Sequence, residues 1–326
     1  MTIQILLFVI GLLMLYFGAD WLVKGSSSLA RSLGLTPLLI GLTVVAFGTS
    51  APELVISVVS SVKGKSMIAV GNVIGSNICN IALVLGLSAA LQPIKSSPSA
   101  IRRDIPVMLC VSLYLLLISL NSNIGRLEGA TLFGGIILYT YFNYYSAVRE
   151  SVPAISDAGA AFESTVKNLE HIPSRTRQIV MITAGITGVI VGAEVLIDAA
   201  VIIMKTFGVS EKFIGLTVVA LGTSLPELAT SVVAALKKEM DISIGNLVGS
   251  NVFNILSVLG AAALARPIVI PEGFIESGLL VDYLVMMFIS FLPWLMMRKT
   301  FTLKRRDGLI LLCCYAGYIV YLIVKT

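Results

Sequence analysis

The stretch Ile40–Leu54, IGLTVVAFGTSAPEL, is written a second time in the same chain as IGLTVVALGTSLPEL at Ile214–Leu228. Advancing the sequence by 174 positions lays Ile40–Ile94 on Ile214–Ile268 without a gap, and 31 of those 55 positions are identical. Further along, GNVIGSNICNI at Gly71–Ile81 meets GNLVGSNVFNI at Gly245–Ile255. The same offset carries Gly18-Ala19-Asp20 onto Gly192-Ala193-Glu194, so the first helix of each half belongs to the repeat. An internal repeat of this kind sets the architecture before any single residue is weighed.

The repeat is embedded in an apolar chain. Of 326 residues, 57% are hydrophobic and only 13% are charged, and the charges bunch between long uncharged stretches instead of covering a water-facing surface. A bilayer core about 30 Å thick takes roughly 20 apolar residues per helix. On that rule ten spans can be drawn, near 3–23, 36–62, 68–91, 104–120, 128–147, 178–198, 210–236, 242–265, 279–297 and 308–324. The chain is therefore expected to be an all-α membrane protein of ten transmembrane helices. Five helices per half is an odd number, so the second copy enters the membrane with the opposite orientation, the inverted-repeat plan of secondary transporters. The organisation expected is a first repeat at 1–147, a cytoplasmic linker at 148–177 and a second repeat at 178–326. With the N-terminus outside, sixteen of the 23 Lys and Arg fall in inner connections and seven in outer ones, which favours both termini outside the cell membrane. The first segment, Ile3–Val23, lacks a basic leader and carries Asp20 near where a cleavage site would fall, so it is expected to stay in the mature chain.

Composition also excludes function classes. The net charge of +5 comes from residues at the ends of apolar runs and forms no dense basic stripe, so the charges read as membrane anchors and no nucleic-acid partner is expected. The single histidine, His171, lies in the polar linker, which leaves nothing from which to build a His-based zinc site, triad or proton relay. No nucleophile–base pair or cofactor fingerprint is visible, so neither an enzyme nor a cofactor is expected. Cys79, Cys110, Cys313 and Cys314 sit in apolar segments without CxxC spacing and read as buried thiols. In the linker, Phe162, Val166 and Leu169 have helical spacing, although a plain linker is the simpler reading.

The chemistry lies in the duplicated motif. A carboxylate at the centre of a bilayer helix costs at least about 2.5–3.5 kcal/mol, and Glu53 and Glu227 both fall mid-span, with no Lys or Arg inside any core except close to an end to neutralise them. Each follows a proline, Pro52 or Pro226, which has no N–H and clashes with the carbonyl four residues earlier. A kink is expected there, releasing carbonyls around Ala46–Thr49 and Ala220–Thr223; at membrane depth such carbonyls need a partner, and a cation is one. Thr49 and Ser50 stand beside Glu53 at helical spacing, as Thr223 and Ser224 do beside Glu227. On the next helix Asn72, Ser76 and Asn80 recur every fourth residue, matched by Asn246, Ser250 and Asn254. Carboxylates, hydroxyls, amide oxygens and carbonyls form an all-oxygen set suited to hard cations: calcium takes 6–8 oxygens, and sodium fits hydroxyls and carbonyls equally well.

Other residues carry blander readings. The GxxxG pairs Gly71/Gly75 and Gly245/Gly249 suit close packing inside one chain. Asp20 and Glu194, near span ends, fit a gating role or a structural anchor. Asp104, Glu128, Asp282 and Asp307 sit at helix starts, where capping suffices.

The paired GTSAPEL and GTSLPEL segments, each followed by a GN-x-x-GSN-x-x-N helix, resemble the alpha repeats of the cation/calcium exchanger superfamily, and the whole chain looks like a prokaryotic sodium/calcium exchanger. The resemblance implies a bundle of the first and sixth helices sliding against a core of the other eight. It implies that Glu53 and Glu227 bind calcium with the carbonyls of Thr49 and Thr223. Sodium would use Ser50, Ser76, Ser224, Ser250 and the carbonyls of Ala46 and Ala220. Potassium-dependent relatives carry Asp where this chain has Asn254, and the linker is too short for the calcium-sensing domains of animal relatives. The expected function is exchange of calcium for sodium by alternating access, in a protein that works as a monomer in the lipid bilayer. A proton-coupled exchanger on the same scaffold is the chief alternative, and a cation channel a second.

Overall fold

The computed structural model describes residues 2–157, 172–208, 222–270 and 273–325. Ala220, His171 and the linker positions Phe162, Val166 and Leu169 lie outside the described residues.

Helix α1 (Thr2–Ser32) is followed by a broken span: α2 (Pro37–Ile40), a π turn (Gly41–Val45), α3 (Ala46–Thr49) and, past Ser50, α4 (Ala51–Val62). Next come α5 (Ser66–Ile78), a π segment (Cys79–Leu85), α6 (Gly86–Leu91), α7 (Ile105–Ser119) and α8 (Arg126–Asp157). The second half supplies α9 (Arg175–Thr206), α10 (Leu225–Leu236), α11 (Met240–Phe253), a π segment (Asn254–Leu259), α12 (Gly260–Ala265), α13 (Leu279–Met297) and α14 (Arg305–Lys325). The repeat is thus visible element by element. Even the π segments recur, opening at Cys79 and at Asn254, one position apart after the 174-residue offset.

Among the described residues, six continuous helical segments are long and apolar enough to cross a membrane, and the pair Pro37–Thr49 and Ala51–Val62, bent by 48°, makes a seventh. The other drawn spans fall on α7, fifteen residues that continue a π turn at Ala100–Asp104, on α8, and on a stretch described only from residue 222. In the most apolar 18-residue windows of α1 and α9 only 22% of residues are buried, and outer-face side chains such as Leu6, Leu13, Phe17 and Ile179 are exposed. Apolar surface on that scale belongs against lipid. Three details depart from the sequence expectations. Helix α8 continues to Asp157, nearly three turns into the expected linker. Cys110 and Cys313 are exposed on the apolar outer surface, while Cys79 is buried. Asp104 does not cap α7: a π turn precedes it, and its carboxylate pairs with Arg103 Nε at 2.8 Å.

Two seams organise the packing. Helices α1 and α9 lie backbone to backbone through glycines: a Cβ added at Gly18 would stand 2.8 Å from Val189 N, and one at Gly185 2.6 Å from Leu22 N. The second seam joins the broken span to α11, where a Cβ on Gly249 would meet Leu42 at 2.7 Å, so the Gly245/Gly249 pair packs within the chain as expected, whereas a Cβ on Gly71 or Gly75 would meet nothing within 4 Å among the described residues, where that pair makes no such seam. Two short antiparallel strand pairs close the ends. Strand β1 (Ile94–Lys95) pairs with β4 (Thr302–Leu303), and β2 (Asn123–Ile124) pairs with β3 (Ile268–Val269). Helix α7 separates β1 from β2, and α13 separates β3 from β4, which puts one pair at each end of the molecule.

Candidate cation-binding site

The broken span positions the first carboxylate. Ser50 leaves helical geometry at φ −87°, ψ 9°, and α4 restarts at Ala51 with Pro52 in its first turn, where the missing N–H costs no helix bond. Glu53 therefore lies in the first turn of a new helix and not mid-helix as the sequence suggested, and Glu227 does the same at the start of α10 after Ser224 at φ −90°, ψ 5°. The positive end of a helix dipole faces each carboxylate, which offsets part of the cost of a buried charge. Both glutamates are fully buried, and they lie close enough to interact electrostatically.

The hydroxyls converge from the opposite repeat as well as from the same one. Ser50 Oγ donates to Glu227 Oε1 at 3.0 Å, across the two halves, and Ser76 Oγ donates to Glu53 Oε1 at 3.5 Å. Thr223 faces Glu53, and Ser250 faces Glu227. Thr49 Oγ1 lies 3.2 Å from Val45 O and 3.1 Å from Asn246 Oδ1 and is also within reach of Glu227, so its single proton is shared among several acceptors. The Ala46 carbonyl is not released by the break: it accepts Ser50 N–H at 3.0 Å and lies 3.5 Å from Thr49 Oγ1. Asn72 and Asn246 serve as struts between neighbouring helices, donating to Ser57 Oγ at 2.9 Å and to Ser231 Oγ at 3.1 Å.

Buried polar atoms are almost always paired, so each exception calls for a reason. Among the described residues the buried oxygens without a protein partner include Glu53 Oε2, Glu227 Oε2, Asn80 Oδ1, Asn254 Oδ1, Ser224 Oγ and Ser250 Oγ. All six belong to side chains singled out in the sequence, and all come from the duplicated segments. A cluster of three or more His, Cys, Asp or Glu does not occur among the described residues; the site combines two carboxylates with neutral oxygens. Sequence reasoning missed Asn77 and Asn251, both 1% exposed, which bond to each other's helix backbones. Their signal was present in the GSN of both copies.

A buried, oxygen-rich site built by two repeated halves inside an apolar helical body, with the Cys79 thiol beside Ser224, fits a membrane cation transporter of the repeat type. The comparisons with known proteins agree. Residues 3–145 and 177–324 match the family model described as sodium/calcium exchanger protein. The chain is 30% identical to the sodium/calcium exchanger MaX1 of Methanosarcina acetivorans, covering 98% of this chain and 99% of that one. It is 35% identical to the inner membrane protein YrbG of Escherichia coli over 99% and 96% of the two. The sodium-calcium exchanger NCX_Mj, solved after soaking with zero Na+ and Ca2+, superposes with a TM-score of 0.82 at 32% identity, covering 98% of both chains. The chain belongs to the sodium/calcium exchanger family and is a multi-pass membrane protein of the cation/calcium antiporter class.

Proposed function

We propose that this protein exchanges calcium for sodium across the cell membrane by alternating access at one shared site, as a ten-helix monomer of two inverted halves with both termini outside. The observation that carries the reading is the set of six unpartnered buried oxygens in the duplicated segments, one on each of the two carboxylates and four on neutral Ser and Asn side chains. Calcium would take Glu53, Glu227 and the carbonyls of Thr49 and Thr223. Sodium would take Ser50, Ser76, Ser224, Ser250 and the carbonyls of Ala46 and Ala220, with Asn80 and Asn254 contributing amide oxygens to either cargo. An empty site holds two like charges out of water, which disfavours closure; one divalent ion or several monovalent ions relieve that repulsion, so only loaded forms rock readily. The glycine seam supports movement of α1 with α9 as a unit, because a backbone-to-backbone contact leaves few side chains to cross between them.

The strand pairing supports the inversion. The 174-residue offset carries β1 onto β3, yet these strands lie at opposite ends of the molecule, each paired with the other's neighbour. Equivalent loops on opposite faces are what an inverted repeat requires. Sodium is favoured over protons as counter-ion because the neutral oxygens outnumber the carboxylates: calcium can use them in either case, but only sodium coupling also gives the hydroxyls and carbonyls a role in the calcium-free half of the cycle. The test is calcium uptake into vesicles of purified protein loaded either with sodium or with acid. Uptake driven by sodium is expected; uptake driven only by the pH gradient in sodium-free medium would transfer the assignment to proton coupling, and large single-channel currents would transfer it to a channel.

A further inference from the structure

The two asparagines that the site reading leaves out, Asn77 and Asn251, form a reciprocal hydrogen-bonded ring across the two repeats, to which Asn80 and Asn254 attach. Asn77 Nδ2 donates to the Asn251 backbone carbonyl at 3.2 Å, and Asn251 Nδ2 returns the bond to the Asn77 carbonyl at 3.3 Å. The remaining acceptors are used crosswise. Asn80 Nδ2 donates to Asn251 Oδ1 at 3.1 Å, and Asn254 Nδ2 donates to Asn77 Oδ1 at 3.1 Å. All four residues are at most 1% exposed.

An asparagine side chain presents an NH2 donor and a carbonyl acceptor, and a half-turn of its amide exchanges the two. Facing a cation, only the oxygen is useful; the NH2 would repel it. In the ring each amide of Asn80 and Asn254 has its NH2 held by an acceptor on the opposite helix, and the Oδ1 is the atom left without a protein partner. The acceptors cannot turn round, because the Nδ2 groups of Asn77 and Asn251 are committed to backbone carbonyls. We infer that Asn77 and Asn251 are positioning residues: each fixes the amide of the site asparagine in the other repeat so that its oxygen, and not its nitrogen, points at the cargo. The inference rests on the cation-site reading above. It also accounts for an amide at position 254, since a carboxylate there would set an oxygen against the Asn77 oxygen instead of a donor.

The connectivity makes a test that general loss of packing does not mimic. Asn77 acts on Asn254 and Asn251 acts on Asn80, whereas Asn77 and Asn80, one turn apart on one helix, have no direct link in the ring. Apparent KM and maximal rate for calcium uptake would be measured in vesicles for Asn77→Ala, Asn80→Ala, Asn251→Ala, Asn254→Ala and the four cross-combinations, normalised to folded, incorporated protein. Each single variant is expected to raise the calcium KM about tenfold with a smaller change in maximal rate, the order of one 1.4 kcal/mol interaction. The pairs Asn77/Asn254 and Asn251/Asn80 should be strongly non-additive, the double variant no more than about threefold worse than the worse single, whereas Asn77/Asn80 and Asn251/Asn254 should multiply. Should the alanine variants fail to fold, Asn77→Ser and Asn251→Ser carry the same cycles, with a smaller cavity and a hydroxyl too short to reach across. Multiplication in all four combinations, or coupling confined to neighbours on one helix, overturns the positioning role. If Glu53→Gln and Asn254→Ala leave the calcium KM unchanged, the site reading itself fails, which is a separate outcome.

Discussion

Replacing Glu227 by glutamine separates binding from folding because the two respond in opposite directions. The carboxylate is fully buried, its Oε1 accepts Ser50 Oγ at 3.0 Å, and its Oε2 has no protein partner. Glutamine keeps the shape, and Ser50 can accept from the new NH2, so the fold is retained. The fixed charge of the site falls from two to one, and bound calcium leaves a positive charge uncompensated in a buried environment. Stranding a buried charge costs about 3–5 kcal/mol, which at about 1.4 kcal/mol per decade weakens calcium by roughly two to nearly four orders of magnitude. In the ion-free protein the same change removes the repulsion between two buried carboxylates, so the unloaded variant should melt at a higher temperature than the unloaded parent. The assay is isotopic calcium uptake into sodium-loaded vesicles, paired with thermal unfolding in detergent with and without calcium. Uptake within threefold of the parent, or an ion-free variant that is destabilised, would refute the reasoning.

Further outcomes follow from the same geometry. Calcium flux should persist when potassium is withdrawn, because Asn254 supplies an amide where potassium-dependent relatives supply a carboxylate; flux that stops would contradict this. A cysteine at position 175 should resist impermeant reagents added to intact cells, while one at position 325 should react, which tests the sidedness. At one end of α1, Asp20 pairs with Lys24 at 3.3 Å and with Lys237, and Arg31 lies 3.3 Å from Glu239, while the repeat-related Glu194 and Lys63 form no ion pair among the described residues. Asp20→Asn should therefore shift the balance between the two access states by about 1 kcal/mol, moving the calcium KM in opposite directions on the two faces of the membrane; equal changes on both would rule out a gating role for Asp20. Gly185→Val places a side chain against the Leu22 backbone, where a Cβ alone would stand 2.6 Å away; overpacking of about 1–3 kcal/mol should lower the melting temperature, and an unchanged one would mean that the seam yields.

Glu53 and Glu227 were legible as candidate cation ligands from chain order alone, since a carboxylate following a proline in an apolar run, written twice, contradicts everything a lipid-facing segment requires, and the structure buries both. Apolar run length set the expected ten spans, the duplication at five per half set the expectation of inversion, and the hydroxyls and amides at four-residue spacing marked which helix faces are polar. Chain order could not say that the helix stops at Ser50 and restarts, which moves each glutamate from mid-helix to a first turn and leaves the Ala46 carbonyl bonded to Ser50 N–H. Nor could it divide the amides into ligands and struts. Asn72 and Asn80 look alike in a repeating pattern, yet one braces α4 against α5 while the other turns an unpartnered oxygen inward. Ser50 meets Glu227 and Asn77 meets Asn254 across 177 residues each, and those pairings exist only once two halves interlock. Spacing along a helix specifies a face, but a hydrogen bond is decided by which atom stands three ångströms away, and that is a property of the assembled fold.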